Sequence, residues 1–204
     1  VSEIFTMVYT YFASPLGMVE LAGAIANLVC VYLATKHNIW TWAWGILGVV
    51  LFGYLFFQVQ LYSDVILQLA FFLPMQFVGF YMWKKYGAES GIGYVNSFKP
   101  IYWIPIVGLI GVLTFITGYN MIYVGASFPY LDASILWMSV AAQLLLIAKY
   151  WQSWVLWVAV DVVAIGVYAG KSLVVASGLY GIFLVIATLG LIQWYRQYKI
   201  QQGS

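Results

Sequence analysis

WQSWVLWVAVDVVAIGVY, residues 151–168, sets three tryptophans, one aspartate and one tyrosine in a run that is otherwise almost wholly apolar. A helix needs about 20 mainly apolar residues to cross the hydrocarbon of a bilayer. There its backbone must satisfy its own hydrogen bonds. The stretch has the right length, and runs of the same kind recur along the chain. They are expected at residues 16–35, 39–58, 61–83, 101–121, 132–149, 151–169 and 174–195.

Composition agrees with that reading. Of 204 residues, 65% are hydrophobic, 20% aromatic and only 7% charged. No soluble core could hide so much apolar surface behind so few charges. The chain is therefore expected to be an all-α integral membrane protein, one transmembrane domain over 1–204. Residues 1–15, too short to span, are expected to lie at the interface. A net charge of +2 is too small for nucleic-acid binding, which needs a basic face against phosphates. Cys30 is the only cysteine and His37 the only histidine. An internal disulfide is thus impossible, and neither a metal site nor a cofactor is expected. The chain opens on Val1, which leaves room for a trimmed leader.

Basic residues set the direction, because short loops rich in them stay cytoplasmic. Lys36, Lys84, Lys85, Lys99, Lys149, Arg196 and Lys199 all follow odd-numbered spans, and only Lys171 falls on the other side. The N-terminus is expected outside, the C-terminus in the cytoplasm. The glycine-containing connection from Lys84 to Pro100 reads as a linker.

An internal repeat is also visible. LATKHNIWTWAWG from Leu33 lies over LIAKYWQSWVLWV from Leu146, matching Lys36 to Lys149 and Trp44 to Trp157. GFYMWKK from Gly79 lies over GLIQWYR from Gly190, matching Gly79 to Gly190 and Trp83 to Trp194. Two three-span units joined directly would face opposite ways; span four restores the direction. A parallel 3+1+3 arrangement follows, with repeat one at 16–83, a linker and connecting helix at 84–131, repeat two at 132–195 and a cytoplasmic tail at 196–204. Transporters place substrate near mid-membrane where repeats meet.

Polar residues inside spans are costly and face the protein interior or water. At about 100° per residue, Trp154, Trp157, Asp161 and Tyr168 fall within roughly 60° of one another on span six. Gln60, Asp64 and Gln68 share a face of span three. Glu20 and Asn27 overlie on span one, and Asp132, Ser139 and Gln143 on span five. Candidate substrate-binding residues are therefore Trp154, Trp157, Asp161, Tyr168, Gln60, Asp64, Gln68, Asn27, Gln143 and, through the repeat, Trp44. Trp40, Trp42, Trp103, Trp151 and Trp194, near span ends, are expected to be interfacial anchors. Gln76 reads as an interhelical hydrogen bond and Pro74 as a hinge or a tolerated kink. Flat aromatic faces, amides and carboxylates without a buried cation suit a flat, cationic or neutral ring bearing hydroxyls. They do not suit phosphate, which wants Arg or Lys. Thiamine or a neutral nucleoside would fit that chemistry.

ELAGAIANLVCVYLAT, LFGYLFFQVQLYSDVILQ and the WQSWVLWVAVDVV run resemble the PnuC-type vitamin transporters over essentially the whole chain. That resemblance implies a seven-span fold similar to the SWEET sugar transporters, in the inner (plasma) membrane, and a homotrimer. It implies uptake of nicotinamide riboside by facilitated diffusion, with a cytoplasmic kinase trapping the substrate for NAD synthesis. By the same resemblance Trp154, Trp157 and Asp161 occupy a tryptophan-rich motif in which Asn can replace the Asp. The expected site lies between spans three and six, the pyridinium near Trp157 and the ribose near Gln68, Asp64 and Asn27. Thiamine, riboflavin and deoxynucleosides are the alternative cargoes, and free sugars a more distant one. A retinal photoreceptor is disfavoured because span seven has no mid-helix lysine. A membrane enzyme is disfavoured because no histidine-rich or metal-ligand cluster is present.

Overall fold

A computed structural model of the chain describes residues 13–58, 65–90, 94–123, 125, 127–170 and 174–203. Seven α-helices run through them: α1 (Pro15–Thr35), α2 (Trp40–Gln58), α3 (Leu73–Ser90), α4 (Trp103–Tyr123), α5 (Pro129–Ile147), α6 (Ser153–Gly170) and α7 (Val174–Gly203). All but α3 belong to segments long and apolar enough to cross a membrane. The start of the expected third span, with Gln60 and Asp64, and the expected interfacial stretch 1–12 lie outside the described residues.

The helices begin where local chemistry lets them. Ser14 caps α1, its Oγ accepting the Gly17 N–H at 3.1 Å, and Pro15 supplies the preset first-turn backbone. Pro129 opens α5 three residues before the expected boundary for the same reason. Polar side chains within the spans bond back to their own helix: Asn27 Nδ2 donates to Gly23 O at 3.0 Å and Thr188 Oγ to Leu184 O at 2.7 Å. In hydrocarbon that leaves fewer polar groups unanswered.

The chain divides into two compact units, residues 1–84 and 85–204. In the first, α1 packs on α2, and Thr41 Oγ ties them by donating to Cys30 O at 2.8 Å. Helix α3 is entered through a π-helical turn, Leu67–Phe72, in which Leu73 N–H reaches back five residues to Gln68 O. Pro74 explains the widening. It has no N–H for Ala70 O, and its ring clashes with that carbonyl in an ordinary α-turn. A π-bulge one turn earlier moves the carbonyl aside. In the second unit α4 packs on α5, α5 on α6 and α6 on α7.

Two ends differ from expectation. Helix α3 continues to Ser90 and α7 to Gly203, each well past the expected membrane limit, because a helix that has left the hydrocarbon has no reason to unwind. The connection read as a linker over 84–100 is correspondingly short, and residues 95–98 dock against the α5–α6 turn. Helix α5 ends at Ile147, two residues before the expected 149, because the chain turns left-handed at Lys149 (φ 56°).

Candidate functional site

The α1–α2 and α5–α6 turns share one geometry. In the first, His37 is left-handed (φ 53°), with Asn38 N donating to Leu33 O and His37 N to Ala34 O, both at 3.1 Å. In the second, Lys149 takes that role, with Tyr150 N donating to Leu145 O at 2.9 Å and Lys149 N to Leu146 O at 3.0 Å. Both are Schellman motifs, usually closed by glycine.

Beyond each turn the same packing recurs. Trp42, only 2% exposed, stands edge-on to Trp83 at 5.1 Å, and a methyl placed on Gly79 would lie 2.3 Å from its ring. Trp154, 1% exposed, stands edge-on to Trp194 at 5.7 Å, and a methyl on Gly190 would lie 2.7 Å from its ring. Each glycine is the notch that admits a tryptophan. The turns and notches pair His37 with Lys149 and Trp42 with Trp154, one residue away from the register that matched Lys36 to Lys149. In this register Gly45, not Trp44, corresponds to Trp157. Trp42 and Trp194 are therefore buried helix-packing residues, not interfacial anchors. Trp40, 65% exposed, keeps the anchor's exposure.

The predicted site residues fall into distinct surroundings. On α6, Trp154 is consumed by packing, Trp157 is half-buried, and Asp161 is 4% exposed with no hydrogen bond to any described residue. Tyr168 stacks on Tyr180 of α7 at 5.1 Å. Gln143 is buried on α5. In the first unit, Asn27 fills the notch at Gly48, where a methyl would lie 2.8 Å from its amide. Gln68 is half-buried in the π turn, and Trp44 is exposed on α2. Gln76 sits in a fourth notch, at Gly45, but its buried Oε1 finds no partner among the described residues, so the expected interhelical bond does not form through that atom. Described lysines and arginines lie at or beyond span ends. The single buried one among them, Lys149, is in the α5–α6 turn, where burial holds its ammonium below the usual lysine range.

Membrane-crossing helices notched together by glycine, with half-buried aromatics and a buried carboxylate on one of them, are the build of a multi-pass small-molecule transporter. The comparisons specify which. A family model described as "Nicotinamide mononucleotide transporter" matches residues 17–196. The nicotinamide riboside transporter PnuC of Escherichia coli is 30% identical, over 93% of this chain and 89% of that protein. That of Neisseria mucosa is 27% identical, over 89% and 73%. A crystal structure of the vitamin B3 transporter PnuC superimposes with a TM-score of 0.75 at 25% identity, covering 95% of this chain and 88% of that one. The chain belongs to the nicotinamide mononucleotide transporter (PnuC) family, and it is a membrane transporter, not an enzyme.

Proposed function

We propose that this protein carries nicotinamide riboside into the cell by facilitated diffusion with alternating access. The observation that carries the reading is Asp161: a carboxylate buried in a membrane helix without a partner among the described residues, one turn from the half-buried indole of Trp157. An unanswered buried carboxylate is costly and marks a substrate path. A pyridinium offers it a counter-charge and offers Trp157 a cation–π contact.

The family model is named for the mononucleotide and the relatives for the riboside. The absence of described cations within the spans favours the riboside, since a phosphate has no Arg or Lys to meet there. In this reading Trp157 and Asp161, with Tyr168 and Gln143, contact the substrate from the second half. Gln60, Asp64, Gln68, Asn27 and Trp44 are the substrate-binding candidates of the first unit, and Trp154 braces α6. The recurring turns and tryptophan notches support a parallel 3+1+3 repeat. The basic residues support an external N-terminus and a cytoplasmic C-terminus in the inner membrane. Trimeric assembly and trapping by a cytoplasmic kinase complete the proposal.

Uptake of labelled riboside into vesicles holding the purified protein tests it. Uptake should be competed by unlabelled riboside and not by thiamine, deoxynucleosides or free sugars. Competition by thiamine as strong as by riboside would reassign the cargo.

A further inference from the structure

The α5–α6 turn is gripped by a strap from outside the helix pair. Asn96 N donates to Lys149 O at 2.8 Å and Trp151 N to Asn96 O at 3.2 Å, so Asn96 and Tyr150 form an isolated parallel bridge. Asn96 Nδ2 adds a bond to Ala148 O at 2.8 Å. Ser97 Oγ accepts from both Trp151 Nε1 and Gln152 Nε2 at 3.0 Å, and Gln152 Nε2 also reaches Phe98 O at 3.0 Å. The strap's other side is tied to α7, Val95 N donating to Gln201 Oε1 at 3.2 Å.

The α1–α2 turn has the same Schellman geometry, with Asn38 Oδ1 accepting Trp40 N–H at 2.9 Å. What the strap supplies is a fixed start for α6. Ser153 N, Trp154 N and Val155 N donate to Tyr150 O, Trp151 O and Gln152 O at 3.0, 3.1 and 3.2 Å, so the gripped residues template the first turn of α6. At 1.5 Å per residue, Trp157 stands about 7.5 Å and Asp161 about 13.5 Å along the axis from Gln152. A slip of the start by one residue would rotate both by about 100°.

We propose that Ser97 and Gln152 are positioning residues: acting through the strap, they fix the rotation of α6 and so the direction in which Trp157 and Asp161 meet the substrate. The inference rests on the assignment of those two residues to the substrate. Ser97 spends both of its oxygen lone pairs on donors from the α6 start, so Ser97→Ala leaves two N–H groups unanswered, whereas Ser97→Thr keeps the acceptor. Gln152→Met removes the amide and takes one donor from Phe98 O while Ser97 Oγ keeps Trp151 Nε1, which makes it the second variant should Ser97→Ala fold poorly.

The test measures riboside binding by calorimetry, amide hydrogen exchange over 153–161 and thermal unfolding, all on the full chain in nanodiscs, with Trp157→Ala in parallel. Ser97→Ala and Gln152→Met should weaken riboside binding about tenfold, or about 1.4 kcal/mol, and raise exchange in the first turns of α6. Ser97→Thr should match the parent in both. A lowered unfolding temperature with unchanged affinity would reduce the strap to a structural tie and overturn the proposal, as would unchanged exchange. Undiminished binding by Trp157→Ala would dismiss the α6 site itself and the positioning role with it; the exchange data separate the two failures.

Discussion

A carboxylate inside a membrane helix needs an answer to its charge, and among the described residues Asp161 has none. If the answer is the substrate's pyridinium, the loss on removing the charge should depend on the charge of the ligand. Asp161→Asn should weaken the cationic riboside about tenfold, or about 1.4 kcal/mol, through the loss of charge–charge attraction. It should leave the neutral dihydro form of the same riboside nearly unchanged. Equal losses for the two ligands, measured by calorimetry, would remove charge from the account. Tryptophans provide the matching test of place. Trp157→Ala should cost at least about tenfold in affinity through lost stacking and cation–π attraction. Trp103→Ala, which removes a ring paired edge-on with Phe98 at 5.3 Å, should cost little. Face-counting sets Trp157, Asp161 and Tyr168 on one stripe, and Asp161 is buried. What counting could not reveal is that Trp154 on the same stripe is used up in the Gly190 notch, or that Tyr168 already has a stacking partner. An angle on a helical wheel specifies direction but not the neighbour found there.

The helices make the same point at larger size. For all but α3 their existence is plain from apolar runs of spanning length, because the hydrocarbon imposes that length. Their ends were less plain, since the bilayer sets where a helix must be apolar and not where it stops. Lys149 could have been read as the last helical residue from its charge, and only a left-handed backbone reveals it as the turn. The same ambiguity displaced the repeat register by one: lysine identity aligned Lys36 with Lys149, while the notches align Trp42 with Trp154. Those notches carry a stability prediction. A methyl at Gly79 or Gly190 would approach a tryptophan ring to 2.3 or 2.7 Å. Gly79→Ala and Gly190→Ala should each destabilise by about 1–3 kcal/mol, with an unfolding temperature lowered by about 2–4 °C per kcal/mol. Gly111→Ala, with nothing within 4 Å, should leave it unchanged or raised. A mild Gly190→Ala would mean that the tryptophan pair tolerates displacement. The strap leaves no mark in the sequence. Gln152 and Ser97 are ordinary polar residues 55 positions apart, and only the folded chain brings them together.

For the molecule as a whole, composition gives the class and the family match the lineage, while the direction proposed from the basic residues awaits its own test; cargo is the question on which the rest depends. The distribution of cations makes a prediction that the family's two names pose directly. With the described lysines and arginines at or beyond span ends, a phosphate added to the riboside meets no partner among them and must shed its hydration, so the mononucleotide should bind much more weakly. Calorimetry of the purified protein against nicotinamide riboside, its mononucleotide, thiamine, riboflavin and a deoxynucleoside tests the central claim most directly. The account predicts saturable binding of the riboside at least about a hundredfold tighter than any of the others, a gap of about 2.8 kcal/mol. Equal affinity for the mononucleotide, or tighter binding of another vitamin, would contradict it.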